Sequence, residues 1–190
     1  MATRESLLDV TARLYAEHGW RGTTTRSIAE AAGVNEVTLF RLFGTKESLL
    51  LEAIGQASLA EPPAALPEQP GLLAAELTAW ALAQHQSLVA KSGIIRSCLA
   101  ESEERPALAP QACKGRTIAF AEGVRYLEVA RARGLIGAAG SIEGAMTMLV
   151  NSIFVDAMTR ELMPHADAPA ASIAVFVDVV LRSLGAKVTT

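Results

Sequence analysis

The sequence predicts an all-α protein of about nine helices, and three observations point there. Ala and Leu dominate a composition that is 51% hydrophobic and only 5% aromatic, which favours helices over the β-branched and aromatic runs of strands. Apolar residues recur at three- and four-residue spacing along most of the chain. Glycines and prolines stand between those periodic stretches, where helices stop.

The elements follow in order. Leu7, Val10 and Leu14, with Leu8, Ala12 and Tyr15, lie one turn apart and give a first helix that stops near Gly19, a C-terminal cap. The hydroxyls of Gly22-Thr23-Thr24-Thr25 cap a second helix over Thr25–Ala32, which Gly33 ends. A third helix runs from about Asn35 to Phe43, and Gly44-Thr45 separates it from a fourth, Lys46 to about Ala60. Four prolines between Glu61 and Gly71 forbid a continuous helix and mark a boundary or a bend. Beyond them, helices are predicted at about 72–92, 94–103, 107–133, 141–163 and 169–186, punctuated by Gly93, Pro106, Gly134, Pro164 and Gly185.

Charge and cysteine usage exclude several classes. A formal net charge of −3 and a pI of about 5.7 leave no global positive field, so any contact with nucleic acid is local. Cys98 and Cys113 lack CxxC spacing and clustered histidines, so neither a zinc site nor a disulfide framework is expected, and no metal or cofactor is implied. Arg4, Glu5 and Asp9 interrupt the apolar stretch that a signal peptide needs. The longest uncharged run, Leu77–Ala90, is too short to cross a bilayer and contains Gln84, His85 and Gln86. A soluble, cytoplasmic protein with reduced thiols and no membrane partner is the expectation.

Residues 28–42 carry the functional pattern. A helix-turn-helix packs two short helices steeply, which demands small residues at the contact and a glycine able to adopt positive φ in the turn. Ile28, Ala29, Ala32, Gly33 and Val34 supply the first helix and the turn, and Leu39 and Leu42 supply two core positions of the second helix. The plain alternative is a helical bundle without a DNA role, because Ala-Gly-Val turns between amphipathic helices are common.

Thr24-Thr25-Arg26-Ser27-Ile28-Ala29, Gly33-Val34, Thr38-Leu39-Phe40-Arg41-Leu42-Phe43 and Lys46-Glu47-Ser48-Leu49 resemble the TetR family of repressors, block by block and in their spacing. The resemblance covers about residues 5–55. It implies a helix-turn-helix DNA-binding domain over residues 1–50, with three helices. Residues 51–190 would be a helical effector-binding and dimerisation domain.

The resemblance makes Asn35–Phe43 the recognition helix, with Asn35, Glu36, Val37 and Thr38 facing base edges. Asn35 is a base contact, a helix cap or both, and Glu36 is a cytosine reader or a solvated charge. Thr24, Thr25 and Arg26 match positions at the start of the second helix, where hydroxyls and a helix N-terminus suit phosphate, and Arg26 reaches a phosphate or a base. Lys46 matches a phosphate-contacting lysine, and Arg41 adds a further contact; the alternative for both is an ordinary solvated charge. Phe40 departs from the resemblance, since the family usually has a tyrosine there whose hydroxyl bonds a phosphate; Phe40 keeps the packing and loses that bond. Six basic residues up to Lys46 face seven acids up to Glu52, which predicts modest non-specific affinity.

The last two helices are apolar around much of their circumference. Met146, Met148, Leu149, Ile153, Val155 and Met158 mark one, and Ile173, Val175, Phe176, Val177, Val179, Val180 and Leu181 mark the other. Such helices are buried on two sides, which fits the four-helix homodimer interface that the resemblance implies. The resemblance also implies a cavity for a small-molecule effector of unknown identity. Trp80, Gln84, His85, Phe120, Asn151 and Phe154 are the candidate contacts, with a hydrogen-bonded core or interface role as the alternative for His85 and Asn151.

The function expected is that of a ligand-responsive regulator, a repressor released from its double-stranded DNA operator by an effector. No Gly-rich phosphate loop, HExxH or GxSxG stands in the sequence, so an enzyme is not expected. The alternative kept beside it is a helical scaffold that binds protein alone, which Arg26, Thr38 and Lys46 disfavour.

Overall fold

The structure, a computed structural model, describes residues 4–163 and 167–186, so the break expected at Pro164 lies outside the described residues. Among these are α1 (Arg4–Gly22), α2 (Thr25–Ala32), α3 (Glu36–Phe43), α4 (Lys46–Leu59), α5 (Leu73–Ala90), α6 (Ser92–Glu101), α7 (Leu108–Ala112), α8 (Lys114–Ala132), α9 (Ile142–Thr159) and α10 (Pro169–Ser183).

They form two compact units that do not part at residue 50. The described residues up to Ala60 and Lys91–Gly115 make the first unit; Glu61–Ala90 and the described residues from Arg116 onward make the second. Division by packing therefore differs from the division by role expected at residue 50, because α6 and α7 pack with α1 and α4.

In the first unit, Leu7, Leu8, Ala12, Ile28, Ala29, Leu39, Phe43, Leu49 and Ala53 close one apolar core. Tyr15, Leu50, Ile54, Cys98 and Leu108 close a second. Leu42 corrects the sequence reading: it is 39% exposed, against 1% for Leu39, and Phe43 takes the core position. Both Leu42 and Phe43 lie within a turn of Leu39, and the side of α3 that meets α1 and α4 selects between them.

In the second unit, α5, α9 and α10 pack on one another around Leu77, Trp80, Met146, Leu149, Ile153, Ile173, Val177 and Leu181. The approach of α8 is close, since a Cβ on Gly123 would collide with the Met146 side chain. The Pro-rich stretch is held down rather than free: Leu66 is buried, and the Glu76 carboxylate accepts the Gly71 and Leu72 N–H groups.

Helix ends differ from expectation in four places. The break expected at Gly93 falls at Lys91, between the end of α5 at Ala90 and the start of α6 at Ser92, so Gly93 lies inside α6. The helix expected at 107–133 is two, α7 and α8, parted at Cys113, and this raises the count from about nine to ten α-helices among the described residues. The helix expected at 141–163 ends at Thr159 and tightens into a 3₁₀ turn over Arg160–Leu162, a common way to finish a helix. At Gly19 the chain takes φ 63° and ψ −169°, yet helix resumes to Gly22, so Gly19 is a bend inside α1 and not its end.

Candidate nucleic-acid interface

Local chemistry fixes both short helices. The Thr24 hydroxyl accepts from the Ser27 N–H at 3.0 Å while Ser27 Oγ accepts from the Thr24 N–H at 3.0 Å, a reciprocal box that caps α2. Gly33 ends α2 in the left-handed region at φ 68° and ψ 33°. There its N–H bonds the Glu30 carbonyl while the Val34 N–H bonds that of Ala29, which satisfies carbonyls a side-chain-bearing residue would strain to reach. Asn35 then caps α3, accepting from the Val37 N–H at 2.9 Å.

Burial gives α3 two faces. Leu39 and Phe43 point into the core, while Val37 is 70% exposed and Phe40 49% exposed, with Arg41 exposed beside them. Arg4 stacks over the Phe43 ring at 4.8 Å and pairs with Glu52, tying α1 to α4 behind α3.

The polar candidates are interlocked. Thr25 Oγ1 donates to Glu36 Oε2 at 2.7 Å, bracing the start of α2 against the start of α3. Glu36 is thus neither simply solvated nor unconstrained. Arg26 Nε donates to Glu30 Oε1 at 2.9 Å, and that bond, with the charges of Glu30 and Glu36, raises the Arg26 pKa further. Thr38 is half-buried, whereas Thr24 and Asn35 are exposed.

Lys46 faces inward. Its Nζ donates to the Trp20 carbonyl at 2.6 Å and lies 5.7 Å from the Trp20 ring, which Arg105 covers from 4.8 Å. Burial and the neighbouring Arg105 charge lower the Lys46 pKa, opposed by Glu101. Glu101 itself accepts from the Trp20 N–H at 2.8 Å and from the Tyr15 hydroxyl at 3.3 Å. Sequence reasoning missed Trp20, Glu101 and Arg105. A bend at Gly19 signals a backbone N–H in need of an acceptor, but nothing local shows that Glu101 is that acceptor.

The candidates for effector contact scatter within the second unit. Trp80 is buried and its Nε1 donates to Glu122 Oε2 at 3.1 Å, while Glu122 Oε1 accepts from the Leu66 N–H at 2.6 Å. His85 is buried with Nε2 2.8 Å from Asp156 Oδ2, and Arg160 grips the same carboxylate at 2.9 and 2.7 Å. Phe120 packs on the core that contains Trp80, and Gln84 and Phe154 are half-buried. Asn151 stands exposed on α9, accepting from Arg116 at 2.7 Å. No group of three or more residues suited to hold a metal ion occurs among the described residues.

Two short capped helices, a left-handed glycine between them and a bare outer face on the second define a helix-turn-helix protein. Residues 7–53 match the family model of bacterial regulatory proteins, tetR family. The chain is 47% identical over 51 residues to the HTH-type transcriptional repressor KstR2 of Rhodococcus jostii, a match over 27% of this chain and 25% of that protein. It thus spans about a quarter of the length of that curated relative. Its fold is similar to that of a TetR transcriptional regulator from Agrobacterium tumefaciens, with a TM-score of 0.78 at 23% identity over 97% of this chain and 94% of that one. It is also similar to the flavonoid-responsive regulator FrrA, with a TM-score of 0.71 at 22% identity over 94% and 93% of the two chains. Residues 7–53 thus match the TetR-family model, and the fold of the chain is similar to that of TetR-family regulators over nearly its whole length.

Proposed function

We propose that the chain is a homodimeric transcriptional repressor, working in the cytoplasm, that binds a double-stranded DNA operator and releases it when a small-molecule effector binds residues 51–190. The observation that carries this reading is the two-faced α3, with Leu39 and Phe43 buried and Val37, Phe40 and Arg41 bare. A helix of eight residues is about 12 Å long, the width of the major groove.

Residues 1–50 carry the DNA-binding role. Thr24, Thr25 and Arg26 meet phosphate at the start of α2; Asn35, Glu36, Val37 and Thr38 meet base edges; Phe40, Arg41 and Lys46 lie along the flanking backbone. Lys46 retains two N–H donors beyond the one given to Trp20.

Dimerisation is supported by α9 and α10. Met148 and Val155 on the first, and Val175 and Val179 on the second, are large apolar side chains left exposed at helical spacing. A second copy would bury them, and two heads at fixed spacing would offset the weak charge balance of each. The effector contacts remain Trp80, Gln84, His85, Phe120, Asn151 and Phe154, and the responsiveness stated for FrrA supports an effector here. A reporter gene placed behind the DNA upstream of this protein's own coding region tests the repressor reading. Expression should fall when the protein is supplied, and unchanged expression contradicts it.

A further inference from the structure

The first turn of α3 presents a carboxylate and an apolar group side by side, on Glu36 and Val37. Thr25 holds Glu36 Oε2 at 2.7 Å, and among the described residues Glu36 Oε1 has no hydrogen-bond donor. Arg26 lies close enough for its charge to interact with that of Glu36, which moderates the repulsion a carboxylate meets near phosphates. The Asn35 side-chain oxygen accepts from the Val37 N–H, and Glu36 supplies the charged accepting group of this turn. Val37, the next residue, is 70% exposed.

Major-groove chemistry limits what such a pair reads. A carboxylate only accepts, and cytosine offers the N4 amino donor, while guanine presents N7 and O6 and thymine O4, all acceptors that repel it. Adenine has an amino donor, but its neighbouring N7 repels the second oxygen. An exposed valine offers no hydrogen bond and gains most against the C5 methyl of thymine.

On the operator-binding reading above, we infer that Glu36, positioned by Thr25, and Val37 select a C·G pair beside an A·T pair whose thymine methyl meets Val37. Thr25 is then a positioning residue: its hydroxyl aims the carboxylate.

Selecting bound sequences from random duplex DNA with the full chain tests this. The wild type should prefer cytosine about tenfold at one half-site position, and Glu36→Gln or Thr25→Val should cut that preference to about twofold with other positions unchanged. Replacing thymine by uracil, which removes only the methyl, should weaken wild-type binding about fivefold and leave Val37→Ala unaffected. Base frequencies that pass unchanged through Glu36→Gln, or uracil serving as well as thymine at every position, overturn the inference while leaving operator binding intact. A wild type that enriches no sequence overturns operator binding itself, and this inference with it.

Discussion

Lys46 Nζ donates to the Trp20 carbonyl oxygen at 2.6 Å, joining the start of α4 to the end of α1. Trp20 lies in the last turn of α1, where carbonyls lack helical partners, so the ammonium both caps that end and meets its negative dipole. Replacing Lys46 with Met keeps the stem and removes the charge. Urea unfolding should register a loss of about 1 kcal/mol, the net worth of such a bond. If Lys46 also touches phosphate, the slope of log affinity against log salt should fall by about 0.9 in the same variant.

Leu39 and Leu42 sit three residues apart on α3 and should behave oppositely. Leu39→Ala opens a cavity in the first unit's core and should cost about 3 kcal/mol. Leu42→Ala, at a largely solvent-facing position, should cost under about 0.5 kcal/mol. Equal losses in urea titrations would mean that α3 is rotated from the orientation described.

Arg26 pairs with Glu30 across an exposed turn of α2, so its removal should not disturb the fold. Arg26→Ala should weaken DNA binding, measured by fluorescence anisotropy, and reduce the salt slope by about 0.9 while sedimentation shows the same oligomeric state as the wild type. Undiminished affinity would remove Arg26 from the interface.

Glu76 should give the second unit a pH-dependent stability. Burial pushes its pKa up, but hydrogen bonds from Tyr126 and from the Gly71 and Leu72 N–H groups, with the Arg133 charge, outweigh that and hold it below the ordinary carboxylate value. A depressed folded-state pKa stabilises the fold above the unfolded value, and the contribution is lost as pH falls through the folded value. The Tm advantage of wild type over Glu76→Gln should therefore be full near pH 7 and shrink on acidification below about pH 4. A constant difference across that range would show that the carboxylate charge contributes nothing.

Val175 is exposed on α10, so a charge placed there leaves the single chain intact. If α9 and α10 form the proposed dimer interface, Val175→Glu should sediment as a monomer where the wild type sediments as a dimer, because burying two unpaired carboxylates at a symmetric interface is costly. A dimer that persists would place the interface elsewhere.

The extent to which the sequence disclosed this structure follows from the range of each interaction. Thr24, Gly33, Asn35 and Thr45 act within three or four residues, so the ends of α2, α3 and α4 were legible to within a residue or so. The choice of Phe43 over Leu42 was not, since both are apolar and the neighbouring helices decide between them. The Thr25–Glu36 brace spans eleven residues and two helices, and Glu101 reaches Trp20 across eighty-one, distances over which no periodicity carries information. Asn151 read as a group among apolar neighbours, yet the side of α9 it occupies is the outer one, where it meets Arg116.

Two copies of α3 should read DNA together, and a DNase I footprint of the purified protein on the DNA upstream of its own coding region tests this most directly. Two protected half-sites with centres about 34–36 Å apart, lost together in Val175→Glu, are predicted. Absence of any sequence-specific protection, there or on genomic DNA captured by the protein, would contradict it.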